Sequence, residues 1–290
     1  MRNTLPHEAC SVFLHVASAC PPCLLPVHRF DGSDVDGLTE AEMPPLPQAS
    51  YLQPYAETKA MGEKAMTDAC CDELMTVAVA PHQVYGPRDN LFLPNLLEAC
   101  GTNRLRVFGD GRNRICFTHV DNYCHGLIIA EKALKKGSKA LGGFYIVTDG
   151  ETHPHKDGYL YFWEVIEEAA LAMGFTSIKG RTALPMWLLW TIAYISEAIG
   201  WLFGRTLKVN VFNVKMLTMH RWFSISAAEK DLDYSPIISY ADGWKDCLLW
   251  FKECWLPTFQ KDGRFFGIAD QSQEKIDIQA SGTAVKDKAA

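Results

Sequence analysis

Tyr55-Ala56-Glu57-Thr58-Lys59 is the stretch from which the fold of this chain can be inferred. Pro54 stands just before it, and Ala, Met, Glu and Lys residues follow, so the sequence predicts a helix from Tyr55 to about Cys71. Side chains four residues apart share one face of a helix, which would bring the Tyr55 phenol close to the Lys59 ammonium. A nearby cation lowers the pKa of a tyrosine from its usual value of about 10. The pair could then take a proton from an alcohol or give one to a carbonyl.

Strand patterns lie on both sides of this helix. Residues 10–18 form a short apolar run, and residues 75–80 form a β-rich run that ends at Pro81. Further strands are predicted at 105–108, 115–120 and 143–148, and further helices at 90–100, 121–134, 162–173 and 183–204. Either Asp121 or Thr118 would cap the helix that runs to Leu134. Helices that alternate with strands indicate an α/β fold.

Composition excludes some functions and sets the size of the core. The chain has 290 residues, of which 48% are hydrophobic, enough for one large domain or two small ones. A net charge of −6 argues against nucleic acid as the main partner. The ten cysteines are scattered, so we interpret them as reduced thiols in a cytosol-facing protein.

The segments that follow the Tyr-Lys helix carry a family resemblance. Pro81-His-Gln-Val-Tyr-Gly-Pro87 begins 22 residues after Lys59, and this arrangement resembles the extended short-chain dehydrogenase/reductases. Phe117-Thr-His-Val-Asp-Asn122 then resembles a segment of the 3β-hydroxysteroid dehydrogenase family within that group. Further matching segments lie at 145–151, 220–224 and 233–236. Together they are most similar to the branch of decarboxylating sterol-4α-carboxylate 3-dehydrogenases.

The resemblance implies an architecture. It is an α/β fold with an incomplete Rossmann-like, NAD(P)-binding parallel sheet and a smaller helical C-terminal substrate region. Residues 1–150 would form the partial dinucleotide-binding region and residues 151–258 the substrate or membrane-associated region. The polar residues 259–290 would be a disordered tail.

The resemblance also implies roles for individual residues. Tyr55 would be the general base that takes the proton of a 3β-hydroxysterol, and Lys59 would hold the cofactor ribose and lower the tyrosine pKa. Other residues expected at the cofactor are Pro81, His82, Gln83 and Val84, beside the nicotinamide, and Ala17 and Ser18, at the end of the first strand. The cofactor would be NAD or NADP, with NAD favoured, and no metal is expected. A substrate with a C4 carboxylate would lose carbon dioxide after oxidation, because the new ketone accepts the electrons.

Parts of the family pattern are absent from the sequence. It has no G-x-x-G-x-x-G, the turn that lets a pyrophosphate approach a helix N-terminus. Only residues 19–29 separate the first strand from Phe30-Asp31-Gly32, and these 11 residues are too few for the helix and strand that the family has at this point. The family's third catalytic residue is a Ser or Thr on that strand, and residues 19–29 contain neither. We therefore expect a shortened gene product with strands that lack neighbours, an exposed sheet edge and weak or no NAD binding.

Residues 183–204 differ in composition from the rest. They carry one charge, Glu197, and an aromatic stripe formed by Trp187, Trp190, Tyr194 and Trp201. One interpretation is a buried core helix, and the other is membrane contact, either spanning the bilayer or lying in its interface. Basic residues flank the segment on both sides, so the sequence leaves its orientation open: Lys179, Arg181, Arg205 and Lys208.

Two functions from different classes remain. The first is an enzyme that oxidises a 3β-hydroxysterol, and the second is a catalytically inactive sterol-binding or membrane-associated relative. The resemblance implies a sterol partner at the cytosolic face of the endoplasmic reticulum or at a lipid droplet; otherwise the protein would be cytoplasmic. It leaves open whether the chain forms a homodimer.

Overall fold

The computed structural model describes residues 13–16, 33–46, 48, 51, 54–204 and 209–262. For residues 13–16, 54, 55 and 262 it describes the main chain only. The segment 19–29 and most of the predicted tail lie outside the described residues. The tail was predicted to begin at residue 259, but residues 259–262 are the end of a helix.

Strands and helices alternate along the described chain. The strands are β1 (Phe13–Val16), β2 (Val35–Leu38), β3 (Thr76–Pro81), β4 (Val84–Tyr85), β5 (Arg114–Ile115), β6 (Thr118–His119), β7 (Phe144–Val147), β8 (Leu160–Tyr161) and β9 (Arg221–Phe223). The helices are α1 (Pro54–Asp68), α2 (Leu93–Gly101), α3 (Val120–Lys132), α4 (Phe162–Ala172), α5 (Met186–Phe203), α6 (Val211–Thr218), α7 (Ser226–Leu232), α8 (Tyr240–Trp250) and α9 (Leu256–Asp262).

A parallel sheet with the order β1-β3-β7 forms the centre of the first half. All six residues of β3 are buried, as its continuous apolar run predicts for a strand covered on both faces. Helices α1 and α3 pack against it. The expectation that the strands would lack neighbours is wrong for β1, because β1 pairs directly with β3, from Phe13 opposite Thr76 to Val16 opposite Val79. Among the described residues, no strand pairs with the other edge of β1.

A second sheet joins distant parts of the chain in the order β2-β9-β5-β8. Strand β9, from the predicted substrate region, lies between β2 and β5, from the predicted dinucleotide-binding region. Asp36 on β2 accepts a hydrogen bond from the Trp222 indole on β9 and forms an ion pair with Arg114 on β5 at 2.6 Å. The two predicted regions therefore share a sheet.

An aromatic core lies under α2, α4 and α8. It buries Phe117, Phe162, Trp163, Phe251 and Trp255 almost completely. A π-helical turn at Phe251–Trp255 joins α8 to α9 and directs both aromatic ends of the turn into this core. The residues predicted to form the substrate region are mainly helical.

Three local predictions were wrong. Residues 105–108 do not form a strand, since only Phe108 makes a bridge, to Leu184. The predicted strand at 115–120 is divided into the ends of β5 and β6. The cap of α3 is His119, whose Nδ1 accepts from the Asp121 amide at 3.3 Å, because the Thr118 hydroxyl is engaged elsewhere.

Helix α5 matches the segment predicted from its apolar composition. It follows Pro185 and ends at Gly204, whose φ of +62° suits the left-handed position after a helix. Only Leu189, Ala193 and Gly200 are buried, so the interpretation as a buried core helix is wrong. Among the described residues, α5 is the one helix long and apolar enough to span a membrane.

Candidate functional site

Helix α1 places Tyr55 in its first turn and Lys59 one turn later, as the four-residue spacing requires. It packs against β1 and β3. Lys59 is half-buried, and this burial lowers the pKa of its ammonium from the usual value. A partly desolvated cation thus lies one helical turn from the tyrosine.

The carboxyl end of β3 carries the predicted nicotinamide segment. Pro81 is the last residue of β3, His82 and Gln83 form the turn, and Val84 begins β4. Because β1 is parallel to β3, its carboxyl end at Val16 lies at the same edge of the sheet. This is the edge at which open α/β sheets bind ligands. Ala17 and Ser18, which follow Val16 in sequence, lie outside the described residues.

His82 is held as a neutral imidazole. Its Nδ1 donates to the Cys116 carbonyl at 2.6 Å, because a carbonyl oxygen can only accept. Complete burial and the positive charge of Arg221 lower its pKa well below the usual value. Nε2 therefore carries no proton, and it has no hydrogen-bond partner among the described residues.

Thr118 fixes the turn after β3. Its hydroxyl accepts from the His82 amide at 3.0 Å and lies 2.7 Å from the His82 carbonyl and 3.0 Å from the Val147 carbonyl. One side chain thus ties β6 to the ends of β3 and β7. Thr118 lies in one of the segments that carried the resemblance, but the only role predicted for it was to cap α3.

Gln83 is the buried polar residue of this turn. It is 1% exposed, has a φ of +39°, and neither side-chain amide atom has a hydrogen-bond partner in the described part of the chain. Buried amides are normally paired, and strained backbone persists where the surroundings impose it. The Gln83 side chain therefore leaves its Nε2 as a donor and its Oε1 as an acceptor at the carboxyl end of β3.

Asp149 and Asn122 connect the first sheet to the C-terminal half. The Asp149 carboxylate accepts from the His119 amide at 2.8 Å and from Asn122 Nδ2 at 2.7 Å. Asn122 Oδ1 accepts in turn from the amides of Ile237 and Ile238. Burial raises the pKa of Asp149 to about 6. Sequence reasoning assigned neither residue a role, although both lie in the segments that carried the resemblance.

An open cavity of about 430 Å³ lies between α8 and α4. Its lining includes Glu168, Tyr240, Trp244 and Lys245. None of the residues predicted from the sequence lines it, so it is not the site built around α1 and β3.

Comparison with known proteins identifies the protein family that this part of the chain resembles. Residues 33–173 match the sequence model of the 3-beta hydroxysteroid dehydrogenase/isomerase family. The matched region is similar to that family over 141 residues, just under half of the chain. The resemblance predicted from the Tyr-Lys helix and the segments after it is therefore confirmed.

Several curated relatives are similar over most of the chain. The chain is 33% identical to "3beta-hydroxysteroid-dehydrogenase/decarboxylase isoform 1" of Arabidopsis thaliana, over 74% of the chain and 49% of the relative. It is 30% identical to a "2-alkyl-3-oxoalkanoate reductase" of Stenotrophomonas maltophilia, over 72% and 61%. It is 26% identical to the human "Sterol-4-alpha-carboxylate 3-dehydrogenase, decarboxylating", over 73% and 56%. The chain thus spans about half to three fifths of the length of these relatives.

A solved structure supports the fold. A UDP-glucuronic acid 4-epimerase from Bacillus cereus, solved in complex with NAD, is 18% identical, with a TM-score of 0.51, and the match covers 84% of this chain and 61% of the epimerase. At this identity the likeness shows the fold alone. Together with the parallel β1-β3-β7 sheet, it confirms the predicted Rossmann-like α/β class.

Proposed function

We propose that these residues belong to an NAD(P)-dependent enzyme that oxidises the 3β-hydroxyl of a sterol to a 3-ketone. The observation that supports this most is the position of α1, which carries Tyr55 and Lys59 one turn apart and packs against β1 and β3, whose carboxyl ends share an edge. The match of residues 33–173 to the family model supports the same chemistry.

The described residues fit one end of a dinucleotide. Lys59 supplies a half-buried cation, and the buried Gln83 amide supplies an unpaired donor and acceptor at the sheet edge. The sequence contains no glycine-rich pyrophosphate turn, so the fit is limited to the nicotinamide and its ribose. When bound, the oxidised nicotinamide supplies the hydride acceptor. We favour NAD over NADP, as the resemblance implies.

The chain's own residues manage the proton. Tyr55 would take the proton of the C3 hydroxyl, and Lys59 would hold the phenolate and the ribose. Partial burial, which lowers the pKa of Lys59, also removes water from its ammonium, and this strengthens the effect of the charge on a neighbouring phenol. Pro81, His82, Gln83 and Val84 would position the nicotinamide, and Ala17 and Ser18 would complete the cofactor contacts.

The finer substrate is a 4α-carboxy-3β-hydroxysterol. Oxidation at C3 makes a β-keto acid, whose C4–carboxyl bond breaks as the electron pair moves onto the ketone, releasing carbon dioxide. The names of the Arabidopsis and human relatives, which include decarboxylation, support this substrate. We further propose a location at the cytosolic face of the endoplasmic reticulum or at a lipid droplet, where such sterols dissolve.

The test is sterol-dependent NADH formation by the purified chain, followed by absorbance, with NAD and NADP compared. A 4α-carboxysterol and its counterpart without the carboxyl are the two substrates. We expect NADH and a 3-ketone with both substrates, and carbon dioxide with the 4α-carboxysterol alone. Tyr55→Phe, which removes only the ionisable hydroxyl, is the matched control and should abolish the signal.

Activity that persists unchanged in Tyr55→Phe would contradict the proposed mechanism. No activity with either cofactor, combined with saturable sterol binding, would instead support the inactive sterol-binding alternative. Reduction of a 2-alkyl-3-oxoalkanoate, the substrate named for the Stenotrophomonas relative, would contradict the sterol assignment while leaving the Tyr-Lys chemistry in place.

A further inference from the structure

The cavity between α8 and α4 is separate from the site at α1 and β3. Its floor is one face of α8, where Tyr240, Trp244 and Leu248 recur at a spacing of four residues. This face is roughly 12 Å long, at about 1.5 Å per residue. Glu168 of α4 and Pro154 complete the lining from other parts of the chain. With a volume of about 430 Å³, the cavity is large enough for a small organic ligand.

Two buried donors of this floor have no hydrogen-bond partner in the described part of the chain: the Tyr240 hydroxyl and the Trp244 indole N–H. The two side chains are 5% and 3% exposed, and their rings lie almost parallel, with centroids 6.0 Å apart. The Thr152 hydroxyl, which also lines the cavity, is already occupied, because it accepts from the Tyr240 amide at 3.0 Å and donates to the Asp149 carbonyl at 2.6 Å. Buried donors are normally paired, so these two point to a missing ligand.

Glu168 brings a negative charge close to both donors. Burial, and then the charge of Glu168, raise the pKa of Tyr240. Burial also raises the pKa of Glu168, and the Trp244 N–H lowers it by less. The carboxylate is therefore near both aromatic side chains without reaching hydrogen-bond geometry. Glu164, one turn earlier on α4, lies 3.7 Å from Lys179, whereas Glu168 has no ion-pair partner among the residues that the structure describes.

Lys245 adds the opposite charge to the same cavity. It is exposed, follows Trp244 on α8, and likewise makes no ion pair within the described ranges. Lys245 and Glu168 therefore line one cavity without neutralising each other. A ligand with a single charge would be attracted by one of these residues and repelled by the other, whereas a ligand with both charges is complementary to both.

We propose that this cavity binds an amino acid that has an apolar side chain. Its ammonium pairs with Glu168, its carboxylate pairs with Lys245, and its side chain covers Leu248. The polar end of the ligand lies beside the Tyr240 hydroxyl and the Trp244 N–H, which have no partner in the described residues. None of these side chains takes part in the proposed sterol oxidation, so the two proposals are independent.

Isothermal titration of the purified chain tests the site without cofactor or sterol, so its outcome is separate from that of the proposed reaction. The probes are L-leucine, N-acetyl-L-leucine, which lacks the ammonium, and L-leucinamide, which lacks the carboxylate. We expect saturable binding of leucine with a dissociation constant of about 1 mM or lower. Each of the other probes should bind at least about tenfold more weakly, because it has lost a charge-assisted hydrogen bond.

Two results of this titration would overturn the proposal. One is the lack of saturable leucine binding up to about 20 mM. The other is equal affinity for leucine and for either modified probe, since that would mean that the cavity recognises only one charge.

Variants that remove one charge assign each end of the ligand to its residue. Glu168→Gln should weaken leucine binding about tenfold and should abolish the preference for leucine over N-acetyl-L-leucine. Lys245→Met should weaken it to a similar extent and should abolish the preference for leucine over L-leucinamide. Variants that keep both preferences of the native chain would overturn the proposal.

The matched controls are Glu164→Gln and Lys252→Met. Glu164 lies on α4 one turn before Glu168, and Lys252 follows α8. All four substituted residues are exposed, so the variants should fold as the native chain does. The controls remove the same charges outside the cavity, and leucine affinity should change by less than about twofold. Equal losses in the control and site variants would overturn the proposal, because net charge alone would then govern binding.

Discussion

Asp149 and His153 are both buried and lie close together in the sequence, and their pKa values are shifted in opposite directions. Burial raises the pKa of Asp149 to about 6 and lowers the pKa of His153 to about 4. His153 accepts from the Phe117 amide through Nε2, and its Nδ1 donates to the Gly150 carbonyl at 2.7 Å, so it has a structural role as a neutral ring. Acid therefore affects the two residues in opposite ways.

The stability of the fold should depend on both groups between about pH 4 and pH 6.5. At Asp149 the folded state binds more protons than the unfolded state. The contribution of Asp149 to the free energy of unfolding is therefore lost as pH rises through about 6. At His153 the unfolded state binds more protons than the folded state. The contribution of His153 to the free energy of unfolding is therefore lost as pH falls towards about 4. Each shift corresponds to about 3 kcal/mol at most.

Asp149→Asn should make the loss of stability in acid steeper, because it removes the carboxyl group whose protonation stabilises the folded state as the pH falls. His153→Gln should make it shallower, whatever its effect at neutral pH. The free energy of unfolding by urea, measured from pH 4.5 to pH 7, gives the slopes. Parallel slopes for both variants and the native chain would contradict these pKa shifts.

Lys59 should act on the pH dependence of the proposed reaction. Without the cation, the pKa of the Tyr55 phenol would return towards its usual value of about 10. Lys59→Met should therefore move the rising limb of the kcat/KM profile to higher pH. It should also lower kcat/KM at neutral pH about a hundredfold. The measurement is kcat/KM for sterol oxidation from pH 6 to pH 10. A limb that stays in place would mean that Lys59 holds the cofactor alone.

At the scale of elements, Thr118 connects three strands. Thr118→Val keeps the shape of the side chain but leaves the buried His82 amide unpaired, and we expect a loss of about 1–3 kcal/mol in the free energy of unfolding. Thr258→Val on α9 is the control, because its exposed hydroxyl donates to the Cys254 carbonyl at 3.3 Å and has no other bond among the described residues. That change should stay within about 0.5 kcal/mol. Urea unfolding of both variants decides the comparison.

Elements with a strong local pattern were predictable from the sequence. The helix α1 and the strands β3 and β7 appear within a few residues of their predicted bounds, because helix formers and continuous apolar runs specify them locally. The segment 105–108 was not predictable, since its apolar residues pack on α4 and α5 instead of pairing as a strand. The cap at His119 depended on the distant contacts that occupy Thr118.

At the scale of the molecule, half of the candidate site was predictable. The spacing of Tyr55 and Lys59 and the turn at 81–84 could be read from the sequence because each lies within one local element. The partners of Asn122 at 237–238 and the neutral state of His82 could not, because they depend on segments far apart in the chain.

The chain of 290 residues should bind NAD weakly. The described residues offer contacts for the nicotinamide and ribose, while a glycine-rich pyrophosphate turn is not part of the sequence, and that turn supplies much of the binding energy in dinucleotide folds. Isothermal titration should give a dissociation constant well above the low-micromolar range. Low-micromolar binding would contradict this expectation.

The second sheet has a consequence for the order in which the protein can assemble. Asp36 on β2 and its partner Trp222 on β9 are 186 residues apart. At about 5–20 residues per second, β2 leaves the ribosome roughly 10–40 s before its only described neighbour exists. During that interval the nascent chain holds an unpaired strand, so its yield in a cell will depend on how well chaperones shield this strand until synthesis reaches β9.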